Sequence, residues 1–287
     1  MTPRCYRFKL GAFNCMAVSD GKHVYHEPVE ILFPEAPMDL LTRALKPHGY
    51  TPRHWPEWIS DYTCLLVDTG THRVLMDMGA GSLLPEAGKL VENLQRSGID
   101  PGEIDLVVIS HAHPDHLGGA LFPNARFIIQ HREWAFWNGA PELPRLSSEL
   151  REVLIRSVNA SLPQLTHGIE LIDGDTQLLP GIKTVAAPGH TPGHMVVSIT
   201  SQGRELLYTG DAILHPIHME HPEWSAIVDV IPEEAEVTRR GLLARAAASD
   251  ALLFCFHFPF PGLGRVRAKG DTWQWEPIPL PPSLGIR

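Results

Sequence analysis

The feature that most constrains this chain is the run His-Ala-His-Pro-Asp-His at residues 111–116, directly after a short apolar segment. His111 and His113 lie two positions apart, so on an extended chain their side chains point the same way and can hold one ion together. Asp115 and His116 are adjacent in a predicted turn and point elsewhere, which suits a second ion a few ångströms from the first. The spacing therefore predicts a site for two metal ions.

Four side chains cannot saturate two cations of the kind that imidazole and carboxylate bind, so further ligands must come from downstream. Three candidates, His190, Asp211 and His257, each stand at or just after the end of an apolar run. Layered α/β folds tend to place their sites where buried strands end. The sequence therefore predicts that four strand ends converge on one metal centre.

This pattern resembles the metallo-β-lactamase superfamily, whose H-x-H-x-D-H signature, later His, bridging Asp and final His have counterparts here in the same order. The resemblance implies an α/β fold, a four-layer αββα sandwich, in a single domain over residues 1–287. It assigns the ligands in two sets: His111, His113 and His190 to one metal, Asp115, His116 and His257 to the other, and Asp211 to both. A carboxylate has two oxygens and can span two cations, whereas a neutral imidazole donates one lone pair.

The chemistry implied by the resemblance is hydrolysis. A hydroxide between the ions would be the nucleophile, because coordination lowers the pKa of water from about 15.7 towards about 7. The resemblance also gives Asp115 a catalytic role, passing a proton to the leaving group, beside the bridging Asp211. We expect two divalent ions, with zinc as the default; manganese, iron or cobalt would accept the same N and O ligands.

Two neighbours of the ligands have more ambiguous patterns. Asp77 ends an apolar strand before a glycine turn, where it could accept the second ring proton of a metal-bound histidine. It could equally bond nearby backbone amides in the turn. His194 is predicted to pack or hydrogen-bond under the loop at 189–193 and not to bind metal. The remaining histidines outside 212–224 are interpreted as core or solvated side chains: His23, His26, His48, His54, His72, His131 and His167.

Within the superfamily, the likeness is greatest to the lactonase and organophosphate-hydrolase branch. It is carried by Gly-His-Thr-Pro-Gly-His at 189–194 and by residues 257–264, which look like methyl parathion hydrolase. Leu214 stands where typical acyl-homoserine lactonases carry a tyrosine. We predict hydrolysis of a small lactone or carboxylic ester. The alternatives are a phosphotriester hydrolase and a metal-dependent sensor that binds a ligand without turnover.

Composition and charge limit the partners and the location that we expect for this protein. The formal net charge is −9 and no dense Lys/Arg cluster occurs, which disfavours nucleic acid. No stretch approaches about 18 apolar residues, so no membrane span is predicted, and without a signal-type start a cytoplasmic location is the default. The four cysteines are scattered and are expected to be reduced. Prolines at 277–282 suggest an extended tail that could pack on a partner subunit, so a homodimer is possible.

Three segments carry predictions about local structure. The sequence predicts a hairpin at 68–72 and a helix from Leu84 to Ser97 with Pro85 in its first turn. Residues 132–165 have helical spacing; they could cover a sheet face or form a lid in which Trp134 and Trp137 wall the cleft. Residues 212–224 are predicted to leave the metal site as a loop, whose histidines either face substrate or are solvated.

Overall fold

The described residues form two seven-stranded sheets that pack face to face, with helices on the outer side of each. The computed structural model describes residues 4–118, 121–165 and 168–280, so His167 lies outside the described residues. The first sheet has the order β1 to β7 and the second the order β14 to β8. This architecture confirms the predicted αββα sandwich.

The strands of the described residues are β1 (Cys5–Leu10), β2 (Phe13–His26), β3 (Glu57–Asp68), β4 (Arg73–Met76), β5 (Leu106–Val108), β6 (Arg126–Gln130), β7 (Ile169–Ile172), β8 (Thr176–Leu179), β9 (Ile182–Ala186), β10 (Met195–Ser201), β11 (Arg204–Tyr208), β12 (Leu252–Phe254), β13 (Leu263–Lys269) and β14 (Thr272–Pro277). The α-helices are α1 (Pro28–Leu32), α2 (Met38–Leu45), α3 (Leu90–Arg96), α4 (His131–Asn138), α5 (Ser148–Ser161), α6 (Ile217–Glu220) and α7 (Pro232–Ser249). The predicted hairpin is confirmed, because β3 and β4 pair antiparallel across residues 69–72.

The alternation of side chains along the strands builds the layers. In β10, Val197 packs into the core between the two sheets, while its neighbour Val196 packs outward with Leu242 and Leu243 of α7. Successive residues of a strand point to opposite faces, so a strand covered on both sides must be apolar at every position. β5 meets that requirement, since all three of its residues are buried. It lies between β4 and β6, parallel to both.

The helix expected from Leu84 starts later, at Leu90, so that prediction was wrong at its start. Gly88 has φ 75°, the left-handed region that interrupts a helix, and a Cβ there would lie 2.1 Å from a backbone oxygen. The carboxylate of Asp20 accepts hydrogen bonds from the backbone N–H groups of Gly88 and Leu90. A residue far away in the sequence therefore fixes where the helix begins.

The segment at 132–165 is helical as predicted: a short connection joins α4 to α5, and a 3₁₀ turn over Leu162–Leu165 follows α5. All four cysteines are free, and three of them are buried. Within the described parts of the chain, no helix has the length and apolar character that crossing a bilayer requires.

Candidate metal centre

The seven predicted ligands come together at one edge of the two sheets. His111, His113, Asp115 and His116 lie in the turn after β5 of the first sheet. The second sheet supplies the other three, which follow β9, β11 and β12. All are buried except Asp115, whose side chain is 15% exposed. The structure thus brings together the side chains that the sequence selected.

The first donor group consists of His111, His113, His190 and Asp211, each offering one atom within 4.8 Å of the others. The Nε2 atoms of His111 and His190 lie 3.6 Å and 3.4 Å from Oδ2 of Asp211. A ring nitrogen of His113, Nδ1, is 3.0 Å from Nε2 of His190. Three imidazoles and a carboxylate oxygen are donors of the kind that zinc commonly takes in proteins.

The second donor group consists of Asp115, His116 and His257, within the same 4.8 Å limit. Oδ2 of Asp115 lies 3.8 Å from Nε2 of His116 and 3.5 Å from Nε2 of His257. This is the partition of ligands that the family resemblance implied.

Asp211 lies between the two groups. Its Oδ1 is 3.2 Å from Nε2 of His116, while its Oδ2 faces the first group and also lies 3.0 Å from Nε2 of His257. The two oxygens of one carboxylate therefore reach both sets of imidazoles. This position is the one expected of a ligand shared by two cations.

The unpaired polar atoms at this edge fit metal binding. Among the described residues, the buried Nε2 atoms of His111 and His116 and the Oδ1 of Asp211 have no hydrogen-bond partner. Buried polar groups are nearly always paired, so three such atoms within the two donor groups call for an explanation. Two cations would satisfy them, and the donor set of imidazole and carboxylate without thiolate suits zinc, manganese, iron or cobalt.

The charges of the two donor groups also fit metal binding. Burial lowers the pKa of His116, but Asp211, Asp77 and Asp115 outweigh it and hold that pKa well above its usual range. Burial alone would raise the pKa of Asp211, yet His257, His116 and His111 hold it well below its usual range. The carboxylates of the site therefore favour a proton on His116. A divalent cation competes for the same positions.

Asp77 orients His116, which is one of the two roles that the sequence predicted for this carboxylate. Nδ1 of His116 lies 2.6 Å from Oδ2 of Asp77. The hydroxyl groups of Ser110 and Tyr208 also donate to that oxygen at 2.7 Å, and the backbone N–H of Ser110 donates to Oδ1. A carboxylate with this set of partners fixes which ring nitrogen of His116 faces the site.

Two other ligands have ring partners that the sequence did not identify. Nδ1 of His190 lies 2.9 Å from Oδ1 of Asp229, and Nδ1 of His257 lies 2.8 Å from the hydroxyl of Ser60. The guanidinium of the fully buried Arg239 donates to Asp229 at 3.3 Å. Asp229 is the single acid between Ile227-Val228 and Val230-Ile231, so the sequence signalled its burial but not its partner His190, which lies 39 residues away.

A third unidentified residue, Glu133 of α4, joins the two ligand-bearing loops. Its fully buried carboxylate accepts from the backbone N–H groups of Ala112 and Gly193, at 2.8 Å and 3.0 Å. It also accepts from the hydroxyl of Thr191 and the indole N–H of Trp137. Burial raises the pKa of Glu133 despite these four donors. The only sequence signal was an acidic residue in a segment otherwise read as a sheet cover or a lid.

His194 is confirmed as a supporting residue. Its Nδ1–H donates to the backbone oxygen of Ala187 at 3.0 Å, and its Nε2 accepts from the backbone N–H of Asp211 at 3.1 Å. With both ring nitrogens engaged, His194 holds the loop before Asp211 in place.

A cavity of about 440 Å³ opens onto the metal centre, where Asp115, Asp211 and His257 line it. Its other walls are mostly apolar and include, from the α5 region, Leu146, Leu150, Val153 and Leu154, and from elsewhere Ile31, Leu83, Leu84, Leu214, Ile227 and Val228. Such a cleft suits a ligand that is largely apolar but carries one polar reacting centre.

One expectation about the cleft needs correction. Trp134 and Trp137 do not wall it; Trp137 is buried behind His113 and bonds Glu133, while aliphatic residues of α5 form the wall. His23, interpreted from the sequence as a core or solvated side chain, is among the residues that line the cavity.

The segment at 212–224 contains the short helix α6 and is not purely a loop. His218 is buried and His215 lies among the rings of Phe33, Trp55 and Trp58. None of the segment's histidines lines this cavity, which only its Leu214 reaches. Aromatic packing, not solvent or substrate, therefore accounts for His215.

Comparison with known proteins identifies the same superfamily that the sequence pattern resembles. Residues 59–257 match the model of the metallo-beta-lactamase superfamily. An N-acyl homoserine lactonase from a Bacillus species is 30% identical over 171 residues, covering 52% of this chain and 62% of that relative. The N-acyl homoserine lactonase AttM of Azorhizobium caulinodans is 34% identical over 130 residues, covering 42% of this chain and 46% of that relative. The chain thus spans less than two thirds of the length of these curated relatives.

Solved structures match over more of the chain. AidC, described as a dizinc quorum-quenching lactonase, has a TM-score of 0.88 at 28% identity, covering 97% of this chain and 98% of that one. The hydrolase AbOPH, of the beta lactamase superfamily, has a TM-score of 0.86 at 24% identity, covering 98% and 99%. The second likeness concerns the fold alone.

Proposed function

The chain belongs to the metallo-β-lactamase superfamily, and from that premise we propose that it is a dinuclear metal-dependent hydrolase that opens small lactones or carboxylic esters. The observation that carries the proposal is the meeting of two complete donor groups at the base of one apolar cavity. The similarity to AidC and to the N-acyl homoserine lactonases supports the same class of reaction.

The residues would divide their work as follows. His111, His113 and His190 would hold one cation, Asp115, His116 and His257 the other, and Asp211 both. When bound, the two ions, which we propose to be zinc, would supply a hydroxide nucleophile at neutral pH and positive charge opposite the developing oxyanion. The chain keeps its donors in register through the carboxylates of Asp77 and Asp229, each bonded to a ligand imidazole.

Asp115 is the carboxylate best placed to meet the leaving group. Its side chain is 15% exposed and lines the cavity, whereas that of Asp211 is 4% exposed. A carboxylate at the cavity surface can pass a proton to the departing alkoxide oxygen once the acyl–oxygen bond breaks. An Asp115→Asn variant that kept its metals and full activity would remove this role.

The cavity favours an ester or lactone with an apolar substituent. Aliphatic side chains of α5 and of residues 227–228 form much of its wall. A buried apolar substituent stabilises the complex by roughly 0.8 kcal/mol for each methylene removed from water. We therefore expect substrates with longer acyl chains to bind more tightly until the cavity is filled.

The test measures metal content and hydrolysis together, on lactones, aryl esters and a phosphotriester. The variant is Asp211→Ala, and the matched control is Asp271→Ala, an exposed aspartate on the turn between β13 and β14. Two metals per chain, with lactone or ester turnover lost only in Asp211→Ala, would support the proposal. Preference for the phosphotriester would favour the organophosphate alternative, and a loaded but inactive protein would favour a sensor. Failure to bind metal after reconstitution would contradict the site itself.

A further inference from the structure

Two tyrosines form a hydroxyl pair on the cavity wall. Tyr25 lies on β2 and Tyr62 on β3, and their hydroxyl oxygens are 2.8 Å apart. Both side chains line the cavity that contains Asp115, Asp211 and His257. None of the roles assigned above uses either phenol.

One of the two hydroxyl hydrogens in this pair has no acceptor within it. Each phenol carries one hydroxyl hydrogen, and a single hydrogen bond between them uses only one of the two. Over the described ranges, neither hydroxyl has another hydrogen-bond partner. Tyr62 is 0% exposed, whereas Tyr25 is partly exposed at the cavity surface. The arrangement that leaves the free O–H where a ligand can reach it has Tyr62 donating to Tyr25 and the hydrogen of Tyr25 facing the cavity.

Ring packing fixes the pair relative to the metal ligands. The ring of Tyr62 lies edge-on to that of His257, with centroids 5.3 Å apart. The ring of Tyr25 stacks on Trp58 at 4.9 Å, and Trp58 itself contacts His257 at 6.0 Å. Ser60, between Trp58 and Tyr62 on β3, bonds the Nδ1 of His257. The same face of β3 therefore positions a metal ligand and the hydroxyl pair.

We propose that Tyr25 donates its free O–H to the carbonyl oxygen of the bound ester or lactone, and that Tyr62 is the positioning residue that orients it; this rests on the proposed function. Asp115 already serves the leaving oxygen, so the carbonyl oxygen is the substrate atom that still lacks a donor from the protein. The other walls of the cavity are largely apolar, which strengthens a hydrogen bond made there. As negative charge develops on the carbonyl oxygen, a fixed neutral donor stabilises it without transferring its proton.

The test compares Tyr25→Phe and Tyr62→Phe with Tyr6→Phe, which removes a phenol from β1, away from the cavity. We expect kcat/KM to fall about 100-fold in Tyr25→Phe, the usual effect of deleting one oxyanion donor. Tyr62→Phe keeps the donor but loses its orientation, so its loss is smaller, about 10-fold. Tyr6→Phe should be unchanged. All three should retain two metals and their melting temperature, which separates this role from a structural one.

A series of esters with different leaving groups identifies which substrate oxygen accepts the hydrogen bond from Tyr25. If Tyr25 serves the carbonyl oxygen, Tyr25→Phe loses the same factor on p-nitrophenyl, phenyl and alkyl esters of one acid. A loss confined to alkyl esters would mean donation to the leaving oxygen and would overturn the assignment. Equal activity of Tyr25→Phe and the wild type would overturn it as well, while leaving the proposed function standing.

Binding of an inert probe separates this inference from the proposed function. A hexyl-substituted γ-lactam presents a carbonyl oxygen but resists hydrolysis, and calorimetry on the zinc-loaded protein measures its affinity. If the wild type hydrolyses no ester or lactone but binds the lactam about 10-fold more tightly than Tyr25→Phe does, the donor role stands and the proposed function fails; that factor corresponds to one hydrogen bond. Absence of both turnover and lactam binding would overturn both.

Discussion

Replacing Glu133 by glutamine should lower both the stability of the protein and its metal affinity, although Glu133 is not one of the predicted ligands. The carboxylate of Glu133 is buried and accepts four hydrogen bonds, two on each oxygen. Oε1 bonds Ala112 in the first ligand loop and Trp137, while Oε2 bonds Thr191 and Gly193 in the second. Glutamine has nearly the same shape but offers one acceptor oxygen and one donor group.

The cost follows from which partners lose their acceptor. With its oxygen at the Oε1 position, the glutamine still serves Ala112 and Trp137, and the hydroxyl of Thr191 can turn to accept. The N–H of Gly193 then remains buried without a partner, which costs about 1–3 kcal/mol, and loss of the charge weakens each retained bond by about 1 kcal/mol. Burying a neutral amide is easier than burying a carboxylate, and this offsets part of the loss. We expect the free energy of unfolding to fall by about 3 kcal/mol.

The same change should reduce metal affinity, because Glu133 ties together the loops that carry His113 and His190. Loss of a group that orients metal ligands typically costs 10- to 100-fold in affinity, and we expect about 10-fold here. Urea unfolding gives the stability, and competition with a chelating indicator gives the affinity. The control is Glu152→Gln on the exposed face of α5. A loss of stability below about 1 kcal/mol together with unchanged metal affinity would refute the argument that this carboxylate joins the loops.

Three further predictions concern pH, packing and substrate size. Burial raises the pKa of Asp20 from 3.8 to about 6, so its contribution to stability is present at low pH and is lost as pH rises through 6. Between pH 3.8 and about 6, the free energy of unfolding of the wild type should fall by up to about 3 kcal/mol relative to that of Asp20→Asn, as measured by urea unfolding. Parallel pH profiles of the two proteins would contradict this. In Gly193→Ala, the added Cβ would lie 2.1 Å from a backbone nitrogen of α4, so thermal unfolding should show a loss of about 3 kcal/mol. Gly241→Ala in α7, where a Cβ meets nothing within 4 Å, should gain about 1 kcal/mol, and the reverse order would refute the packing argument. Leu150→Ser and Val153→Ser should each raise KM about 10-fold for octanoyl esters and leave acetyl esters unchanged; equal effects on both would show that α5 does not contact the acyl chain.

The sequence located the candidate metal ligands because each belongs to a strong local pattern. His111, Asp211 and His257 stand just after the largely buried strands β5, β11 and β12, and His190 follows the half-buried strand β9. Consecutive residues determine both the burial of a strand and the turn that ends it. The side chain placed at that end can therefore be located without knowing the rest of the fold.

The supporting residues could not be predicted in this way, because their partners are distant in the chain. Glu133 acts on Gly193, Asp229 on His190 and Ser60 on His257, and each pair meets only after the sheets have packed. The same reason explains the error at α3, whose start is set by Asp20. Local propensity predicted the existence of that helix, but tertiary hydrogen bonds determined its boundary.

Each donor group takes ligands from both sheets, and this has a consequence for biosynthesis. The loop after β5 supplies only part of either group, and the rest follows β9, β11 and β12. A nascent chain therefore offers no complete metal cage until residue 211 has left the ribosome, and no second cage until residue 257 has. We expect tight metal uptake only after the two sheets have joined, so that a retained ion marks a chain whose halves have folded against each other.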